Sequence, residues 1–595
     1  MVLPLIPMLF AIQINLVVQV DLDAPSGEGA EAAYWQQEVH YTIEAYLDED
    51  TGQLQGAGEM QYRNRSGDPL EEIFFHLHLN AFRPNSLWAQ AEERAQYDFQ
   101  SLDDPDYAYE RLSSMKMEGR SLTPEFPFAP DSTVVRFSLP QAIPAEGSST
   151  FTFEWVARPS TLCRRQCRRG RSFDFAQWYP RVAVYDRDGW QGHPLYPQGE
   201  FYGEFGGYDV TLDLAEDQVV GATGVVLNGD PGWASSGTSN GYGASLDPPS
   251  LGLMTQGPRA GRKRVRFYAE DVHHFAWSAS PEYRYEGGRH GEVAVHVLFR
   301  PGDVDWDLGA AVSRSVRALE WLETIFGPYP YPQITNVHRL EDGGTEFPML
   351  VMNGSPGQGL IVHEFAHQYA MGVLGSNEWK DAYLDEGMAS FLSNWFMEDV
   401  GGVDPWPSSV RRLGEMEAAG VLPLPVATVS EEAPSFGVYQ LLAYTKPSIV
   451  YRMLRELVGA EAMRAGLSLY HHRKSFEHVV EADLRQAIED ASGLDLEWFF
   501  QQWFHSTATL DYSVSEVSQT RTAVGWTTTA TLTRSGDAWM PVVIEVGSER
   551  RIIDGRGTSQ RIEVTTIERP RAVVVDPEVI LIDTDRSNNR IDIGL

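Results

Sequence analysis

Lysine, cysteine and long apolar runs are all scarce in this chain of 595 residues. Of its 47 basic residues only five are lysine (Lys116, Lys263, Lys380, Lys446 and Lys474) and 42 are arginine; set against 83 acidic residues, they leave a net charge of −36. A surface of that sign repels the phosphate backbone and argues against a nucleic-acid partner. It also suits a saline habitat, although a GC-rich genome gives the same arginine bias. The two cysteines, Cys163 and Cys167, stand in LCRRQCRRGR. They are too few for a metal site, and a small-loop disulfide and two free thiols fit the pattern equally. The arginines around them read as a solvated loop, with a docking point for acidic peptide as the alternative. Past the amino terminus no segment is apolar and long enough to span a bilayer. Met1 to Val20 is mostly apolar but carries no Lys or Arg, the first basic residue being Arg63, and Gln13, Asn15 and Gln19 interrupt it. Residues 1–24 are therefore expected to be a signal peptide, with export to the periplasm or medium and a cytoplasmic home as the alternative.

What is present is a globular composition: 43% hydrophobic, 22% charged, sixteen tryptophans. The length suggests roughly three or four domains. Short alternating segments broken by Gly, Pro, Asn and Asp (VHYTIEAYLD, EIFFHLHLNAF, TVVRFSLP, TFTFEWVA, YDVTLDLA) predict β-strands from about Ala33 to Pro281. His76 and His78 share one face of such a strand and are expected to pack or hydrogen-bond. Between Asp305 and Phe326 the period becomes helical, with a stripe of Leu308, Val312, Val316, Leu319, Leu322 and Ile325 that PYPYP ends. After about Ser513 strand patterns return.

The stretch Leu360 to Ser390 carries the chemistry. His363 and His367 stand four apart in an apolar, helix-compatible run, so their imidazoles project from successive turns toward one point. Glu364 lies beside them, where a carboxylate that is not a ligand can take a proton from metal-bound water. With eighteen residues between it and His367, Glu386 opens a second amphipathic segment, which a helical hairpin would bring back against the histidines. Two imidazoles and one carboxylate leave the fourth position of a zinc ion open, as catalysis requires.

HEFAHQY, the eighteen-residue gap and LDEG, with Asn377 to Trp379 (NEW) between them, resemble the gluzincin zinc metallopeptidases of the aminopeptidase N and leukotriene hydrolase family. FDFAQWYPRVAVYD and GEFYGEFGGYDV look like the bacterial branch, the membrane alanyl aminopeptidase type. Gly343 to Phe347 (GGTEF) is similar to the family's Gly-x-Met-Glu-Asn exopeptidase signature, with Thr345 and Phe347 in place of the usual Met and Asn. Tyr444-Thr445-Lys446 matches a Tyr-x-Lys-Gly motif, with Pro447 in the glycine's place and well suited to a helix's first turn.

The resemblance implies a multidomain α+β protein: an N-terminal antiparallel β-domain (25–281), a thermolysin-like zinc catalytic domain (282–508) and a C-terminal β-sandwich (509–595). It implies one Zn²⁺ held by His363, His367 and Glu386, Glu364 as the base, Tyr444 on the oxyanion, and Glu346 with Gln177 on the peptide's amino terminus. Asp385 would orient the site or cap a helix. The activity implied is removal of the amino-terminal residue from peptides. A zinc endopeptidase, a second hydrolase activity and a noncatalytic peptide-binding scaffold are the alternatives.

Overall fold

The strands of the amino-terminal half form because apolar residues recur at every second position. In Glu38–Asp48 the buried residues are Val39, Tyr41, Ile43, Ala45 and Leu47, one face of the pleat. The computed structural model describes residues 34–236 and 260–594; the expected signal peptide at 1–24 and most of the Gly, Ser and Pro-rich stretch at 229–257 lie outside them. The largest sheet has eight strands in the order Val225–Asn228, Arg262–Val272, Gly206–Ala215, Glu38–Asp48, Gln53–Arg63, Ser148–Arg158, Tyr109–Met117 and Arg120–Ser121. Its neighbours are antiparallel except Glu38–Asp48 and Gly206–Ala215, which run parallel, Val39 opposite Gly206. The expectation of a purely antiparallel region is corrected at that one junction, a long-range pairing that alternation along each strand does not specify. A smaller four-stranded sheet, in the order Val219–Ala222, Trp277–Ser280, Ser172–Phe175 and Cys167–Arg169, ends on the strand that carries Cys167.

Next comes a four-stranded sheet, Arg284–His290, Val293–Phe299, Gln333–His338 and Leu350–Asn353, whose last three strands are parallel. Helix α1 (Ala310–Phe326) crosses between two of them, burying Val312, Leu319, Leu322 and Ile325 as the stripe predicts. Leu308 departs from that stripe. It precedes the helix in a left-handed conformation (φ 60°) and is 62% exposed, because the helix begins only after Gly309. Helix α2 (Gln358–Ala370) packs between α1 and α3 (Met388–Asp399), and α4 (Trp406–Ala418) and α5 (Lys446–Val458) follow.

The helical part ends at Glu497–Trp503, and residues 511–592 form a three-stranded and a four-stranded sheet. This last region is packed onto the helices: the Arg452 guanidinium donates to the Val579 carbonyl at 2.8 Å, and Trp498 stacks on Trp539 at 4.0 Å. Among the described residues no helix is long and apolar enough to cross a membrane.

Candidate active site

Helix α2 places His363 and His367 one turn apart, and their Nε2 atoms lie 3.2 Å from each other. Each is also 3.3 Å from Glu386 Oε2, which has no hydrogen-bond partner of its own. His367 Nδ1 is 2.5 Å from Asp385 Oδ1. The proton therefore belongs on Nδ1, leaving the Nε2 lone pair aimed at the other two groups. Three lone-pair atoms facing one point repel each other unless a cation lies between them. A tetrahedral ion with ligand distances of about 2.0–2.1 Å separates its donors by about 3.3 Å, so the spacing of these three atoms suits such a metal.

Glu386 and Tyr444 reach that point from two π-helical turns, Tyr383–Gly387 running into α3 and Leu441–Thr445 running into α5. The Tyr444 hydroxyl donates to Glu386 Oε1, and its ring lies parallel to that of His363 with centroids 6.3 Å apart. Gly387 makes this approach possible. A β-carbon there would stand 2.7 Å from Pro447 and 3.2 Å from the Ala443 carbonyl. Pro447 thus packs directly on the turn that carries Glu386. Lys446 is buried beside it and paired with Glu417 of α4 at 2.8 Å.

Glu364 is 3% exposed and packs on Gly344, where a β-carbon would fall 1.8 Å from Glu364 Oε1. Gly343, in turn, has a left-handed φ of 78°. Both glycines of GGTEF are therefore demanded by geometry. Burial, and next the negative charge of Glu346, push the Glu364 carboxyl well above the usual carboxylate range. Glu346 follows a ladder-like pair, Thr345 N–H to the Met352 carbonyl at 3.0 Å and the reverse at 2.9 Å. It sits just beyond this edge pairing and not within a regular strand. Arg339 bonds the Thr345 hydroxyl, fixing the segment from below. A small cavity opens beside Glu346, walled by Phe201, His274, Thr345, Phe347, Met371 and Glu378.

Two carboxylates that the sequence reading passed over join the site. Glu200 places an oxygen within 4.8 Å of both Glu346 and Glu386, and Glu378 does so with Glu346 and Asp385. The signal that could have found them is their place in motifs that carry the family resemblance, GEFYGEF for Glu200 and NEW for Glu378. Burial, and next the charge of Asp385, push the Glu378 carboxyl well above its usual range. Gln177 is buried in a left-handed conformation (φ 54°) and its amide nitrogen is unpaired, as is Nδ1 of the buried His78. His78 lies 5.7 Å from the ring of Phe201, a wall of the Glu346 cavity. His76 and His78 bond each other, as expected of buried packing histidines.

The arginine loop corrects its expectation. Cys163 and Cys167 are joined in a disulfide, and Arg165 is only 7% exposed, its guanidinium against Glu200. Composition suggests solvent for such residues; the short ring turns them inward instead.

Residues 352–503 match the peptidase family M1 domain. The chain is 27% identical to glutamyl aminopeptidase of Sus scrofa over 173 residues, covering 27% of this chain and 17% of that protein. It is 24% identical to mitochondrial aminopeptidase 2 of Saccharomyces cerevisiae over 263 residues, 40% of this chain and 27% of the relative. With aminopeptidase N of Escherichia coli the identity is 28% over 160 residues, 25% of this chain and 18% of the relative. The matched segments thus span less than a third of each relative's length.

Proposed function

We propose that this chain, which carries a peptidase family M1 domain at residues 352–503, is a zinc-dependent aminopeptidase. The observation that carries this reading is the convergence of His363, His367 and Glu386 on one point, with Glu346 and Glu200 closing one side of the space around it. Zinc held by the first three supplies a Lewis acid that lowers the pKa of water and polarises a carbonyl. Glu364 takes the proton from the attacking water and returns it to the leaving amine nitrogen. The Tyr444 hydroxyl, once turned from Glu386, donates to the oxygen that gains charge in the transition state. Asp385 keeps the His367 ring in the tautomer that presents Nε2. Glu346, with Glu200 and Gln177, holds the substrate ammonium, and that distance fixes which peptide bond meets the base.

In this reading residues 282–508 are a thermolysin-like catalytic domain, flanked by an N-terminal β-domain (25–281) and a C-terminal β-sandwich (509–595). An exported location goes with it, supported by the Cys163–Cys167 disulfide.

The test is hydrolysis of a panel of aminoacyl fluorogenic substrates beside the same peptides N-acetylated, with and without a zinc chelator. Chelator-sensitive cleavage of free amino termini alone is the expected result. Equal cleavage of blocked peptides would make the enzyme an endopeptidase, and cleavage of neither, with metal bound, would make it a scaffold.

A further inference from the structure

Arg165 sits at the tip of the ring closed by Cys163 and Cys167, with its backbone in the left-handed region (φ 60°). A residue with a β-carbon rarely keeps that conformation unless its surroundings impose it. Here they do. Within the ring, Arg164 and Gln166 exchange backbone hydrogen bonds of 3.1 and 2.7 Å. The Gln166 side chain clamps Ser160, accepting from its N–H and donating to its hydroxyl, both at 2.8 Å. The Arg165 N–H donates to Glu341 Oε2 at 2.7 Å, and Glu341 lies on the segment that leads to Glu346.

The inverted tip sends the guanidinium into the site. It lies against both oxygens of Glu200, donating to Oε1, 3.4 Å from the Gly199 carbonyl and 4.9 Å over the Phe201 ring. Glu200 is itself 4% exposed and faces Glu346 and Glu386. Desolvating a buried ion pair costs so much that the pair is weak evidence of stabilisation by itself. This one lies where three carboxylates face one another, and its cation comes from a covalently closed loop. Carboxylates so placed repel and swing apart unless each is held from behind. A guanidinium fork is rigid enough to do that, and every carboxylate oxygen it engages keeps a second lone pair for another donor.

We infer that Arg165, braced by the Cys163–Cys167 ring, is a positioning residue for amino-terminal capture: it holds the Glu200 carboxylate toward Glu346 so that the pair receives the substrate ammonium. The inference rests on the aminopeptidase reading above. The disulfide is then part of the substrate site and not only of the fold.

The experiment compares wild type, R165A, R165K, C163S/C167S and the combined triple variant in the metal-loaded full chain. Alaninamide binding is read by calorimetry, and KM and kcat are read on an alanyl fluorogenic substrate. R165A should weaken alaninamide binding and raise KM by at least about tenfold, the order expected for losing one partner of a buried charge pair, with kcat changed less. R165K keeps the charge but not the fork and should fall between R165A and wild type; it carries the test where R165A does not fold. C163S/C167S should move KM in the same direction, and the triple variant should be no worse than R165A, since the ring acts through Arg165. Unchanged alaninamide binding in R165A or R165K, a fall in kcat at constant KM, or a ring effect that adds fully to that of R165A would each overturn the inference. A wild type that cleaves N-acetylated peptides as fast as free ones would instead fail the aminopeptidase reading itself.

Discussion

In the proposed mechanism Glu364 is the residue on which turnover would depend while metal binding would not. It touches Gly344 and shares the space of Glu346, yet His363, His367 and Glu386 converge without it. Replacing it with Gln should leave metal content by elemental analysis unchanged and lower kcat by about 10²–10⁴-fold, the contribution of a positioned general base. A second residue makes a prediction about stability. Glu110 is 2% exposed with both carboxylate oxygens unpaired, and burial pushes its carboxyl well above the usual carboxylate range. A carboxyl whose folded pKa exceeds its unfolded one binds its proton more tightly in the native state. Its contribution is complete below the unfolded value and is lost as pH rises through the folded one. Glu110→Gln should therefore melt close to wild type near pH 4 and be more stable at pH 8, by roughly 1–3 kcal/mol. Calorimetry at the two pH values checks both halves.

Among the elements, the two π-turns decide how the site is assembled. A π-turn adds a residue to a helical turn and so rotates the side chains before it relative to those after it. Tyr383–Gly387 and Leu441–Thr445 each do this where a functional residue, Glu386 or Tyr444, meets the helix that follows. Gly387→Ala would drive a β-carbon into Pro447 and force the turns apart. The expected outcome is a loss of about 1–3 kcal/mol, as for other overpacked contacts, with weaker metal binding in a chelator competition.

Much of this was legible in sequence. The spacing of His363 and His367 fixes a shared helix face, and the apolar period after Glu386 announces the returning helix. The extra residue of a π-turn leaves no mark on that period, so the turns themselves were not. Arg165 escaped for another reason: it meets Glu200 only through long-range packing, and composition argued for a solvated loop there, while Glu200 itself stood in a motif whose role at the site only the fold makes plain. Leu308 fits a helical stripe that Gly309 cuts short.

At the scale of the whole molecule, the carboxy-terminal sheets are bound to the preceding helices by more than covalent linkage. A β-carbon at Gly414 of α4 would stand 2.2 Å from the Asp583 carbonyl, and Leu510, Leu581 and Ile582 are fully or almost fully buried. A chain ending at residue 508 would expose that seam. It should melt at least about 5 °C lower than the full chain, or precipitate, in a thermal scan of the two purified forms.

The parallel pairing of Glu38–Asp48 with Gly206–Ala215 has a consequence in time. The strand that enters the large sheet first is one whose second neighbour is synthesised more than 150 residues later. At ordinary rates of chain growth that interval is on the order of ten seconds. Through it the nascent protein carries Tyr41, Ile43 and Leu47 on a strand with one edge unpaired, a template for misassembly with other emerging chains. The order of synthesis thus makes the strand Glu38–Asp48 a target for any factor that shields nascent chains, far in sequence from His363, His367 and Glu386.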